Sequence, residues 1–226
     1  STLAVSGLLD VGGNLTTASA GDQTLAEVTA RDAADLTSES ALTVTGLLDV
    51  TGDLTATTGG DLRLASVRGG ANVVLDSGAA LTVEDDLVVL GTLTTDSVED
   101  QVLADLDVDG AADLASEADL TVTGLLDVAG NLTVDTVGDL SLAAVQAGSD
   151  ATLTSEHLHG VRLSARAEAA EADLLVHAPQ HALDLAGAPR RRRRQLRDPL
   201  ADQTNVVDHG AAEVVERRRH GVANRG

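Results

Sequence analysis

Two stretches decide the reading of this chain: LTVTGLLDVTGDLTATTGGDLRLASV over residues 42–67, and LTVTGLLDVAGNLTVDTVGDLSLAAV over residues 120–145. The second restates the first, and a diverged copy stands midway between them, which halves the apparent period. Starting at Leu3, Leu42, Leu81 and Leu120 the chain repeats itself four times at a constant step of 39, without insertion or deletion. The first copy opens LAVSGLLDVGGNLT and the third, the most diverged, opens LTVEDDLVVLGTLT. Gly13, Gly52, Gly91 and Gly130 hold one register, as do Leu15, Leu54, Leu93 and Leu132, and Asp22, Asp61, Asp100 and Asp139. A fixed period of this length means a solenoid, in which each unit buries its apolar face against its neighbours.

Helical solenoids have similar periods, so the local pattern has to choose between helix and strand. In the second copy Leu42, Val44, Leu48, Val50, Leu54, Leu62 and Leu64 share one parity, the alternation of a strand with one buried face. The parity flips once, to Val67, Val73 and Leu75. Gly46, Gly52, the Gly59-Gly60-Asp61 cluster and Gly69-Gly70 interrupt these runs too often for helices and at good places for bends. Each unit splits into two similar halves, which in the second copy start at Leu42 and Leu62, and each half is the size of one coil of a parallel β-helix. The expectation is an all-β, right-handed parallel β-helix of four 39-residue repeats, two coils each, over residues 1–158. Eight coils stacked at strand spacing would make a rod roughly 38 Å long.

Composition agrees with this architecture and limits the chemistry. The 226 residues include no Phe, Tyr, Trp, Cys, Met, Lys or Ile, yet 43% are hydrophobic, so the core must be Leu, Val and Ala. A narrow, constant cross-section can be filled by small branched side chains, each worth on the order of 1.5–3 kcal/mol when fully buried. Without cysteine there is no disulfide framework and no thiolate metal site. Without lysine there is no GxxxxGK[ST] phosphate loop. No apolar run reaches the roughly 18 residues that span a bilayer. The chain opens at Ser1 and not at Met, which reads as a processed or excised piece of something longer.

Charge divides the chain in two. Residues 1–156 carry 3 Arg against 27 Asp and Glu, residues 157–226 carry 12 Arg against 9 acids, and the whole is −21. All six His and all three Pro lie in the second part. From His159 a fifth repeat is due, but no GNLT or GDL landmark follows; runs of arginine occupy Arg190 to Arg194 and Arg217 to Arg219. The expectation for 159–226 is a basic, largely irregular tail with, on one reading, a short helix over Ala165 to Val176. An arm that binds an acidic surface and an out-of-frame translation product are the other readings of this segment.

GNLTT at Gly13, GDLTA at Gly52 and GNLTV at Gly130, followed by GDLRLASV at Gly60 and GDLSLAAV at Gly138, resemble the repeats of filamentous haemagglutinin-type exoproteins. The resemblance covers about residues 1–158. It implies a secreted or cell-surface bacterial adhesin, exported by an outer-membrane transporter and meeting host-cell surfaces or extracellular glycans. The family's secretion domain and effector regions have no counterpart in this sequence.

Residue by residue, no catalytic, cofactor-binding or metal site is expected. Gly59-Gly60-Asp61 lacks the tandem GGxGxD spacing of calcium nonapeptides, so Asp22, Asp61 and Asp139 read as solvated turn acids. Glu84, Asp85 and Asp86 with Asp105, Asp107, Asp109 and Asp113 would have to line a groove to make a sugar-cleaving enzyme, the runner-up function. The alternation of Asp105, Asp107 and Asp109 with Leu106 and Val108 instead suggests a strand's outer face. Thr43, Thr45, Thr121 and Thr123 hint at a flat threonine array, which Ala4, Ser6 and Glu84 break. His157 and His159 have a metal-compatible spacing, but two His without a full ligand set read as surface residues. Nucleic acid is opposed by the acidity of the repeats. A self-assembling structural β-solenoid is the third function class.

Overall fold

The computed structural model describes residues 1–159 and, beyond them, the backbone of four strands, Leu163–Ala165, Asp173–His177, Thr204–Asp208 and Glu213–Arg217. The described residues are strands and turns, with no helix among them. They form a parallel β-solenoid of eight coils, beginning at Leu3, Gln23, Leu42, Leu62, Leu81, Gln101, Leu120 and Leu140. Leu3 pairs with Gln23, Gln23 with Leu42, Leu42 with Leu62 and Leu62 with Leu81, so a longer and a shorter coil alternate, differing by a single residue.

Each coil holds a long strand that bends midway and a short one. In the third coil these are Leu42–Val50 and Leu54–Thr58. The long strands stack into one sheet and the short strands into a second, and almost every neighbour in either stack is parallel. At the bend the pairing shifts by one residue, between Val44 and Leu47 against Leu64 and Ser66. In the diverged third repeat the bend breaks the strand into Leu81–Val83 and Leu87–Val89.

The bend is where the two half-units differ. Thr45, Gly46 and Leu47 separate the inward Val44 and Leu48, whereas only Ala65 and Ser66 separate Leu64 and Val67. A straight strand conserves the parity of its inward side chains, so an odd period of 39 must lose one residue of alternation somewhere. It loses it at this bend in every shorter coil: Leu25 to Val28, Leu64 to Val67, Leu103 to Leu106 and Leu142 to Val145.

Inside, equivalent positions stack into ladders one residue wide. Leu42, Leu48, Leu54, Leu62, Leu64 and Leu75 are 0–1% exposed, and no aromatic is needed to close the core. The end of each short strand contributes a buried hydroxyl: Ser38, Thr58, Ser77, Ser97, Ser116 and Thr136. Ser77 Oγ donates to the carbonyl of Ala80 at 2.9 Å or to that of Gly60, one coil back, also at 2.9 Å. The row of hydroxyls thus satisfies the carbonyls of the tight corner it sits in. Copies one and three also bury an amide: Gln23 Nε2 donates to Thr17 Oγ1 and Gln101 Nε2 to Thr95 Oγ1, each at 2.5 Å.

The repeat's landmark motif now has a physical meaning at each letter. The backbone of Gly130 donates to the Gly110 carbonyl one coil below at 2.9 Å, and a Cβ there would lie 2.6 Å from that oxygen. The next residue reaches the other way: Asn14 Oδ1 accepts from the Ala33 amide and Asp53 Oδ1 from the Asn72 amide, both one coil above and both at 3.1 Å. The Leu that follows points inward, as Leu54 and Leu132 do, and the Thr outward.

Strand stacking continues past Leu158. Leu163–Ala165 pairs in parallel with Val145–Ala147, and Asp173–His177 with Ala151–Thr154, after which Thr204–Asp208 and Glu213–Arg217 add antiparallel strands to the second sheet. The register becomes irregular: the step from Leu140 to its partner Leu158 is shorter than any before it, and the step from Ala151 to Leu174 is longer, which is why the sequence shows no repeat there. The short helix expected over Ala165 to Val176 is corrected at both its ends, where Leu163–Ala165 and Asp173–His177 are strands because the apolar Leu174-Leu175-Val176 run finds a sheet edge to join, and its middle, 166–172, lies outside the described residues. The rest of the expected irregular tail, including Arg190 to Arg194, lies outside the described residues.

Two pairs of substitutions test these assignments by equilibrium denaturation. Leu132→Asp, at an inward site 1% exposed, should destabilise by on the order of 3 kcal/mol or more, while the neighbouring outward Thr133→Gln should cost under about 1 kcal/mol. Gly130→Ala should cost about 1–3 kcal/mol. The equivalent Gly13→Ala, whose Cβ would meet only the Asp32 carboxylate at 3.8 Å, should stay within about 0.5 kcal/mol.

Candidate functional site

The turn acids are more than solvated charges. Asp22, Asp61, Asp100 and Asp119 stand at the corner that follows the short strand, and each accepts the backbone amide of the equivalent corner one coil on: Ala41 at 3.4 Å, Ala80 at 3.4 Å, Asp119 at 3.3 Å and Asp139 at 2.8 Å. A corner amide would otherwise point into solvent or an adjacent turn without a fixed acceptor. Asp22 also accepts the Ser40 hydroxyl at 2.6 Å, and this bond first and the Ala41 amide second hold its carboxyl below the usual carboxylate range. The sequence carries the signal for Asp22, Asp61 and Asp100 in their 39-residue recurrence, but not the direction of their reach, and gives no such signal for Asp119, whose counterparts are Ala41 and Ala80.

The dense acidic stretch gathers in part at one bend. Glu84, Asp85 and Asp86 occupy the bend between Leu81–Val83 and Leu87–Val89, Asp107 lies midway along the outer face of Leu106–Val108, Asp109 follows that strand, and Asp113 lies on the short strand Ala112–Ser116. Glu84 is engaged by Arg63 in an exposed ion pair. Asp105 accepts the Leu125 amide at 2.6 Å and lies over Gly124, where a Cβ would collide with its Oδ1. Glu84, Asp85, Asp86 and Asp105 thus stand at the same bend of adjacent coils, Asp107, Asp109 and Asp113 lie farther round, and Glu84 and Asp105 have structural partners.

Thr43 and Thr121 do share one outer row of the long-strand sheet, but Arg63 and Val102 interrupt it, so that row is not a continuous threonine surface. The short-strand sheet carries a more regular exterior that sequence reasoning missed. One row runs Thr16, Asp35, Thr55, Val74, Thr94, Asp113, Thr133 and Thr152, one residue per coil. A parallel row two residues on includes Thr37, Thr57, Asp76 and Asp96.

His157 and His159 lie on one strand, His157–His159, and flank Asp139. His157 Nδ1 is 3.0 Å from Asp139 Oδ1 and His159 Nε2 is 3.6 Å from Oδ2, with the imidazole planes 17° apart and their centres 6.5 Å apart. Asp139 is hydrogen-bonded to His157, and His159 stands near its other oxygen beyond hydrogen-bond distance. Among the described residues no group of three or more His, Asp or Glu is placed to hold a metal ion. No described helix is long and apolar enough to cross a membrane.

The fold and its surface define a class, the parallel β-solenoid repeat protein. Comparison with protein-family models, with curated proteins and with solved structures returns no match for this chain.

The depressed Asp22 carboxyl fixes the sign of one pH effect. Its bonds to Ser40 and Ala41 favour the ionised form, so their contribution is present above the ordinary carboxylate range and is lost as pH falls through the folded value. The melting temperature of the Asp22→Asn variant should therefore fall less steeply than that of the unaltered chain on acidification below about pH 4. Parallel curves would show that the Asp22 contacts do not distinguish folded from unfolded chain.

Proposed function

We propose that this chain is a structural and adhesive scaffold segment of an exported bacterial surface protein, without catalytic turnover. The observation that carries the reading is the in-register exterior: rows made mostly of Thr and Asp, interrupted at Val74, run from coil to coil, so the rod would offer similar low-affinity surface many times over. A ligand with repeated groups, such as an extracellular glycan or a host-cell surface, would bind weakly per coil and gain strength by multivalency. With Glu84 held by Arg63 and Asp105 by the Leu125 amide, the acids at the bend favour a hydrated, solubilising exterior over a groove that offers a free acid and base. The GNLT and GDL motifs support an exported filament carried through a partner transporter in the outer membrane.

The test is to compare binding of the soluble chain with the same chain displayed on beads at increasing density, against host cells and polysaccharide surfaces. The expected result is weak binding in solution that rises steeply with density, and unchanged polysaccharide length after long incubation. Cleavage of a polysaccharide, or tight one-to-one binding of a small ligand in solution, would overturn the scaffold reading and favour a carbohydrate-active enzyme.

A further inference from the structure

Coiling concentrates charge. Over residues 1–156 the 27 Asp and Glu stand against 3 Arg, a net of −24, and none of the 27 is buried, so all of them lie on the outside of eight coils. At about 4.8 Å per coil this is one net negative charge for roughly every 1.6 Å of rod axis. Double-stranded DNA carries one for about every 1.7 Å and holds a condensed layer of counterions for that reason. Two unit charges in water interact by RT at about 7 Å, so a line of charge four times denser draws cations to itself.

The stacking brings some of these charges face to face. Asp76 stands opposite Asp96 and Asp107 opposite Asp127 on neighbouring strands, and Asp100, Asp119 and Asp139 occupy one corner of three successive coils. Like charges directly opposite each other in a sheet are destabilising. Residues 81–119, two coils of the rod, contain 12 Asp and Glu and no Arg, Lys or His. Basic side chains offset little of this: Arg63 pairs with Glu84, and Arg68 stands between Asp49 and Val88.

Unfolding relieves the crowding. The same 156 residues fully extended would reach about 500 Å, which spreads the charge more than tenfold along the contour, to one in about 20 Å. That spacing exceeds the distance at which two charges interact by RT, so the unfolded chain does not condense counterions. The difference in bound cations between the two states is therefore large, and it has one sign.

We infer that this chain takes up cations when it folds: the rod is a polyelectrolyte whose folded fraction is set by the supply of cations around it. They are held by charge density along the whole surface and not at a coordination site, so valence matters and ionic radius does not. Salt stabilises such a rod. A protein held together by surface ion pairs would respond in the opposite direction, because salt screens the pairs.

Thermal unfolding of the full chain, followed by circular dichroism, tests this. The melting temperature should rise by about 10 °C or more between about 0.02 M and about 1 M sodium chloride. Magnesium chloride should give the same gain at about a tenth of the concentration or less, and the tetravalent polyamine spermine at less again. Below about 0.2 M, chloride and perchlorate salts matched in sodium should coincide, since the cation and not the anion is taken up. Replacing the outward Asp107, Asp109 and Asp113 together by Asn should raise the melting temperature by about 5 °C at low salt and change it by under about 1 °C at about 1 M. A melting temperature that is flat in salt, or falls with it, overturns the proposal. So does a gain that follows the anion, or a triple variant that melts with the unaltered chain at low salt.

Discussion

Each coil of this molecule must hydrogen-bond, residue for residue, to a coil of the same outline about 4.8 Å away. Backbone pairing at that spacing leaves no freedom in the cross-section, so an inward position in one coil dictates the size of the side chain above and below it. Leucine ladders such as Leu42, Leu62 and Leu81 are the result, and so is the absence of aromatics, since a ring at any rung would have to be accommodated by both neighbours. The rule applies at the corners too. Landmark glycines such as Gly52 and Gly130 exist because the turn below leaves no space for a Cβ, and the Asn or Asp beside them exists because the turn above presents an amide with no partner in its own coil.

The same constraint accounts for the surface. Whatever stands outward on a short strand has a neighbour at strand spacing along the rod, so the exterior is organised in rows. Asp113 or Thr133 alone is an ordinary strand residue; as members of a row they belong to a surface with a period. The stacking also places like charges close together. That cost is softened where the carboxylates serve as acceptors for the neighbouring corner, as Asp22, Asp61 and Asp119 do. The acids of the rod therefore have two duties, hydration outside and closure of the corners.

Much of this is legible in the linear sequence because the fold is itself linear. The 39-residue register, the parity of Leu42 through Leu64 and the spacing of the glycines lead to strands, coils and a coil count, and even the parity flip at Val67 corresponds to a physical bend. What the sequence conceals is anything that depends on which neighbour a side chain reaches. Asp22 and Asp61 read as free turn acids because their acceptor role spans two coils. His157 and His159 read as a spacing in search of a ligand because their partner, Asp139, belongs to the previous coil. The segment after Leu158 escapes for a different reason: its strands join the stack at steps shorter and longer than those of the repeat, so periodicity gives no warning of them, and Leu174-Leu175-Val176 carries no alternation to separate strand from helix.

The bend in the long strand bears on how such a rod tolerates change in its own length. Inserting one residue into a straight run, for instance between Leu54 and Ala56, would exchange inside for outside along the remainder of that run and bring threonines into the core. At the bend the chain already accommodates both lengths, with Thr45-Gly46-Leu47 in one coil and Ala65-Ser66 in the next, and the ladders on either side continue undisturbed. Insertions and deletions that survive in descendants of this chain should therefore gather at the bend and at the corners between strands, where the last coils also change length, and should spare the straight runs.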